Sequence, residues 1–378
     1  MKIAIIGSGI SGMMTAWMLA GRGCDITLFD RQQPGQESSW AGGGIVSPLY
    51  PWRYADSVTR LAHASQAVYP ELVEALKSES GIDPEYLNSG LLIFSPEEEG
   101  AARAWAQRWS VTAERVNASA IATLDPALAC PDPTALWFPD VGQVRNPRIV
   151  KALYAALQKR PGIRFIINAE VNGLSPSPHG IEVETGGDRE TFDKAILCAG
   201  AWSPLLLEHA GLQPEIKPVR GQMLLFRTEP HTVRRITLHE NHYAIPRKDG
   251  RVLFGSTIED TGFVKETTET ARTELATLAT KLYPVLAEAP IEHHWAGLRP
   301  GSPEGIPYIG SVPGIDNLYI NAGHFRNGVV LAENEPGYTI ALLASDEDSL
   351  RNTLERIADR ANLDSLKIQA ILRRFRRL

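Results

Sequence analysis

Residues 2–30 read KIAIIGSGISGMMTAWMLAGRGCDITLFD, and the order of residue types in this stretch decides the fold. Ile3, Ala4, Ile5 and Ile6 form an apolar run of strand length, of the kind buried on both faces in a parallel sheet. Gly7-Ser8-Gly9-Ile10-Ser11-Gly12 follows at once. A helical pattern then runs from Ile10 to about Ala20 and stops at Gly21 and Gly23. Ile26, Thr27, Leu28 and Phe29 make a second strand that ends on Asp30. Gly7 permits a tight turn, Gly9 lets the backbone approach a pyrophosphate, and Gly12 lets the helix pack close to the strand. The helix N-terminus offers unpaired N–H groups and a partial positive charge to phosphates. Asp30 lies 18 residues after Gly12, where an acid accepts hydrogen bonds from a ribose diol. That acid favours FAD or NAD over NADP; Arg31 beside it pulls slightly the other way.

The bulk composition bounds what surrounds this unit. A chain of 378 residues is long for one simple domain, so two lobes around a shared crevice are expected. Its net charge of −6 argues against a nucleic-acid partner, which would need a basic face. The apolar stretches are strand-length, too short for stable membrane insertion. The short apolar run at the N-terminus carries no cleavage-site pattern, so a cytoplasmic protein is expected. Cys24, Cys130 and Cys198 are far apart and read as reduced structural thiols, with no metal site among them or at His293-His294.

Three later segments favour flavin over nicotinamide. Glu37-Ser38-Ser39-Trp40-Ala41-Gly42-Gly43-Gly44 lies just beyond the ribose acid, and its small residues let backbone and hydroxyls sit against a cofactor. Lys194 to Gly200 reads as a strand ending in Ala199-Gly200, followed by Ala201-Trp202-Ser203. Leu318 to Ala332 reads as strand, glycine turn and the start of an apolar helix, through Gly323-His324-Phe325-Arg326-Asn327-Gly328-Val329. A helix N-terminus there would stabilise negative charge on a reduced flavin.

The segment Trp295 to Gly310, WAGLRPGSPEGIPYIG, holds one arginine, Arg299, among Gly, Pro and apolar residues; the nearest acid, Glu304, lies across an expected turn. A buried guanidinium needs an anionic partner. Either a distant carboxylate supplies it or a ligand does. Two stretches, 86–144 and 216–294, have another character, with short alternating strands such as Gln222–Phe226 and a hairpin signal at Lys248-Asp249-Gly250. A helix is expected from about Thr267 to Tyr283.

The N-terminal fingerprint, SSWAGGG (38–44), NHYAIPRKDGRVLFGSTIEDTGF (241–263), WAGLRPGSPEGIPYIG and GHFRNGVVLA (323–332) together resemble the D-amino acid oxidase superfamily of flavoproteins, most of all its glycine oxidase branch of thiamine biosynthesis. The resemblance spans essentially the whole chain. It implies an α/β, overall α+β, protein: a Rossmann-type FAD-binding domain with a parallel sheet (1–85, 145–215 and 295–378) and a mostly antiparallel substrate domain (86–144 and 216–294). It implies non-covalent FAD, since sarcosine-oxidase relatives attach flavin through a cysteine near the C-terminal motif and no cysteine follows Cys198. Cofactor contacts are implied at Gly7, Gly9, Ile10, Ser11, Gly12, Asp30, Arg31, Ser38, Ser39, Ala41, Gly42, Gly43, Val171, Ala199, Gly200, Trp202, Gly297, Arg299, His324, Arg326, Asn327, Gly328 and Val329. Arg299 and Tyr243 occupy the positions that hold the substrate carboxylate, and Arg326 lies near substrate or flavin.

The implied reaction is oxidative deamination of glycine, a small D-amino acid or a secondary amine by hydride transfer to the flavin. Molecular oxygen then yields peroxide. Alternatives of the same fold are a dehydrogenase passing electrons to a quinone and an oxidase of a larger amine, the latter suggested by the bulky Pro48–Tyr54 rim. An oxidase of modified tRNA and a non-catalytic flavin sensor are more distant readings. Relatives carry an apolar-Pro-Thr stretch where this chain has Glu333-Asn334-Glu335-Pro336. The basic, amphipathic Ile368–Leu378 is read as an ordinary terminal helix. A homo-oligomer is left open.

Overall fold

The computed structural model describes residues 1–208 and 211–332; Glu333–Pro336 and the basic terminal segment lie outside them. Strand β1 (Lys2–Ile6), helix α1 (Ile10–Leu19) and strand β2 (Asp25–Phe29) form the expected opening unit. β1 lies inside a six-stranded sheet in the order Tyr308–Ser311, Leu318–Ala322, Lys194–Leu197, β1, β2, Ile163–Ile166. All neighbours run parallel except the edge strand Tyr308–Ser311.

The apolar run of β1 explains why both faces are covered. Successive side chains point to opposite faces. Ile3 and Ile5 pack with α1, the long helix Asp56–Ser80 and the helix Asn146–Leu157. Ala4 and Ile6 pack instead with Val171, Ile181, Val183 and Phe192 of a three-stranded antiparallel sheet, residues 171–192. The close approach of α1 needs Gly12, where an added Cβ would overlap the Gly7 carbonyl oxygen, and Gly7 adopts φ +103.

A second, eight-stranded sheet roofs the first. Its order is Ile291–Gly301, Lys217–Arg227, Arg251–Gly255, His242–Pro246, Ile236–His239, Leu91–Phe94, Thr134–Phe138, Glu114–Asn117. Every pair is antiparallel except Ile236–His239 with Leu91–Phe94. The helix Glu269–Leu282, capped by Thr268, covers the outer face with Leu275, Ala279 and Leu282. The inner face carries Met223, Tyr243 and Ile245 against Ile45, Leu49 and Tyr50. The Lys248-Asp249-Gly250 turn joins two of these strands, with Gly250 at φ +85.

The boundary expected at residue 295 falls inside a strand. A cofactor segment starting at residue 295 would cut the strand Ile291–Gly301, whose pairing with Lys217–Arg227 is maintained as far as Gly301. Ladder hydrogen bonds along the whole strand keep Trp295, Gly297 and Arg299 in the roof.

Candidate active site

A long cavity runs from the C-terminal ends of β1 and β2 to the inner face of the roof. At its first end Asp30 is fixed by the glycine turn. Ser8 donates to Asp30 Oδ2 from its backbone N (2.9 Å) and its hydroxyl (2.6 Å), and Gln32 N donates to Oδ1 at 2.9 Å. The first-turn N–H groups of α1 have no carbonyl of their own helix to bond. Ile10 N donates to Ser39 Oγ at 2.9 Å. Arg31 pairs with Glu37 at 2.9 Å and lies 3.8 Å over the Trp202 ring.

Residues 37–44, a short helix (Ser38–Ala41) followed by glycines, form one wall of the cavity. Polar groups hold this backbone from behind. Asn146 Nδ2 donates to Ser39 O (2.8 Å), Arg247 Nη2 to Gly43 O (2.7 Å) and Trp295 Nε1 to Ala41 O (3.1 Å). Gly44 has φ +79, and a Cβ there would overlap the Val144 carbonyl oxygen. Gly297 is needed on the roof side, where a side chain would strike Ala41.

At the far end stands Arg299. Its Nη2 donates to Ser256 Oγ at 2.6 Å and its Nη1 to the Thr257 carbonyl at 3.2 Å. No carboxylate among the described residues forms an ion pair with it. Its face lies against Gly221, where a Cβ would overlap both Nη atoms. Burial pushes its pKa down, with the nearby Tyr243 hydroxyl acting the other way. A five-donor fork is not saturated by these neighbours. Tyr243 is buried and donates to Met223 Sδ at 3.8 Å, while His242 on the opposite face stacks on Phe254. Arg326 is half-buried on the cavity wall and donates to Asn241 O at 3.4 Å. His324 is buried, with Nε2 3.1 Å from Asn321 Oδ1.

Most of the residues singled out from sequence line this one cavity: Gly7, Gly9, Ile10, Ser11, Asp30, Arg31, Ser38, Ser39, Ala41, Gly42, Gly43, Val171, Ala199, Gly200, Trp202, Tyr243, Gly297, Arg299, His324, Arg326, Gly328 and Val329. Gly12 and Asn327 do not. Gly12 serves the packing of α1 on β1, and Asn327 is buried beside Tyr54. Gly221 and Met223 also line the wall and escaped the sequence reading, whereas Gly44 and Asn321 lie in segments it had placed near the cofactor. Gly221 had a signal, since glycine inside a strand pattern marks a close approach. Among the described residues no three His, Cys, Asp or Glu side chains converge as a metal site. No helix among them is long and apolar enough to cross a membrane.

The donor set suits a flavin dinucleotide. A helix N-terminus opens on the cavity where phosphates would lie, Asp30 stands beside it where it would meet a ribose, and a glycine turn too tight for side chains follows. Residues 2–332 match the family described as FAD dependent oxidoreductase. Glycine oxidase from Pseudomonas aeruginosa is 43% identical over 332 residues, covering 88% of this chain and 91% of that protein. The bifunctional protein ThiO/ThiG of Trichormus variabilis is 29% identical, covering 90% of this chain and 52% of that protein. The crystal structure of glycine oxidase from Geobacillus kaustophilus superposes with a TM-score of 0.84 at 26% identity, over 90% of this chain and 94% of that one. The resemblance read from the motifs therefore holds across fold, cofactor and enzyme class, and the chain belongs to the FAD dependent oxidoreductase family.

Proposed function

We propose that this enzyme oxidises the amine of glycine or another small amino acid, releasing the 2-oxo acid, ammonia and hydrogen peroxide. The observation that carries the reading is Arg299: a half-buried cation facing the cavity, with donors to spare and no carboxylate among the described residues paired with it. A planar guanidinium matches a carboxylate fork, and the Tyr243 phenol adds a directional donor without further charge.

Bound FAD supplies the two-electron chemistry of such a reaction. Asp30, the first turn of α1 and the 38–44 turn would hold it. The side chains of the roof do the rest. Arg299 and Tyr243 fix the acid group and so decide which hydrogen on Cα is presented. Met223, Leu49 and Ile45 line the wall and keep water away. Two guanidiniums, Arg299 and Arg326, face the same space, and their positive potential favours the uncharged form of the substrate amine. Water hydrolyses the imine product, so no protein acid or base is required at carbon. The names ThiO and glycine oxidase among the relatives support a place in thiamine biosynthesis and dioxygen as oxidant.

The test is peroxide release by the FAD-loaded enzyme over glycine, sarcosine, small D-amino acids and the same amines lacking an acid group, such as glycinamide. The reading expects turnover confined to the acids, with one peroxide per substrate in air. Substrate loss without peroxide would favour a dehydrogenase, and equal turnover of glycinamide would remove the role given to Arg299.

A further inference from the structure

Among the described residues Arg299 donates to Ser256 and Thr257, which follow the roof strand Arg251–Gly255 and belong to no strand themselves. Something else must hold them. Thr257 Oγ1 accepts from Gln222 N at 2.8 Å and donates to Glu259 Oε1. Glu259 Oε1 also accepts from Gln222 Nε2 at 2.9 Å. Glu259 Oε2 accepts from Arg220 Nε at 3.1 Å and from its Nη2. The two backbones close the ring: Arg220 N donates to Glu259 O at 2.9 Å and Glu259 N to Arg220 O at 3.0 Å. Gln222, fully buried, has its own oxygen filled by Thr268 N (2.8 Å) and His294 Nε2 (3.0 Å).

This network sits immediately behind the guanidinium. Arg220 and Gln222 flank Gly221, the residue whose missing side chain makes room for Arg299. Glu259 is an acid whose charge acts on Arg299 without contact, because Arg220 and Thr257 occupy its oxygens. A carboxylate in direct contact would consume the fork; one held a residue away supplies attraction and leaves the donors for a ligand. Burial raises the Glu259 pKa, but hydrogen bonds from Thr257, Arg220 and Gln222 outweigh this and hold it below the usual carboxylate range.

We propose that Glu259, neutralised by Arg220 and linked through Thr257, is a positioning residue that aims Arg299 at the substrate acid group. The proposal rests on the carboxylate reading of Arg299 and extends it to a residue outside the cavity wall. Glu259→Gln keeps the shape of the side chain and removes its charge. In the FAD-loaded enzyme this variant raises KM for glycine and the Kd of acetate, a competing carboxylate, by about tenfold, with kcat within about twofold. Turnover of glycinamide, where the parent has any, and FAD affinity stay as in the parent.

Because Glu259→Gln leaves the buried Arg220 without a carboxylate to balance its charge, Thr257→Val and Thr257→Ser provide a second arm. Val shifts the glycine KM in the same direction, and Ser, which keeps the hydroxyl, restores it. An unchanged glycine KM and acetate Kd in Glu259→Gln would overturn the proposal, as would an equal loss for glycinamide. If that variant fails to fold, a Thr257→Val enzyme indistinguishable from the parent overturns it. Failure of the underlying reading looks different: the parent itself then shows no preference for the acid over the amide.

Discussion

Arg247 is buried and Arg299 half-buried at the roof sheet, and among the described residues neither pairs with a carboxylate, yet they are occupied in opposite ways. Arg247 spends its donors inward, on Gln143 Oε1 (2.7 Å), Val144 O (3.0 Å) and Gly43 O (2.7 Å). Burial first, and the neighbouring Arg145 second, push its pKa down to about 10. Arg299 finds two acceptors among the described residues, Ser256 Oγ and Thr257 O, and lines the cavity with its remaining donors. Burial alone therefore does not mark a binding residue. What separates the two is whether the protein has already filled the donors: Arg247 spends its fork on Gly43, Gln143 and Val144, whereas the proposed reading leaves that of Arg299 for an acid.

The contrast can be broken at several points. Arg299→Ala is expected to lower kcat/KM for glycine by about a hundredfold or more, the scale of a lost charged hydrogen-bond pair, with urea stability close to the parent. Steady-state peroxide assays beside urea melts check both halves. Arg247→Met should do the reverse. Three buried acceptors lose their partner, costing about 3 kcal/mol of stability, while the glycine KM moves little. A stable Arg247→Met protein with a collapsed glycine KM would abolish the distinction.

Smaller changes sharpen it. In Gly221→Ala the new methyl meets the movable end of Arg299, so the expected loss is about tenfold in glycine KM rather than in folding. Gly44→Ala meets the Val144 carbonyl at a positive φ and should instead lower the melting temperature. Smallest is a pH effect. Asp249, bonded to Arg145 and Arg251, has its pKa lowered to about 2 from an ordinary 3.8. A depressed carboxylate contributes stability above its unfolded pKa and loses it as pH falls towards the folded value. Acid unfolding followed by circular dichroism should be less steep between pH 4 and 2 in Asp249→Asn than in the parent.

Legibility in the sequence followed the range of the interactions involved. The β1–α1–β2 unit was readable because its glycines, helix and terminal acid lie within 30 residues and each has a local cause. Arg299 was conspicuous because its own neighbours in the chain could not neutralise it. Its surroundings were not readable. Glu259, rather than the closer Glu304, is the acid that acts on it, through a loop brought back by strand pairing. Gly221 required knowing that Lys217–Arg227 lies beside Ile291–Gly301. The boundary expected at residue 295 falls within a paired strand for a related reason: a motif was read as one functional unit, although strand pairing runs across its first half.

The strand Ile291–Gly301 has one more implication. Trp295, Gly297 and Arg299 are two residues apart and share a face; the first two touch Ala41, and the third addresses the acid pocket. Under the proposed reading a single strand would therefore meet both occupants. Thermodynamic reciprocity then requires that whatever factor the dinucleotide adds to the affinity for an acid, the acid returns to the dinucleotide. Titrating apoprotein with FAD in the presence and absence of acetate would put a number on that exchange.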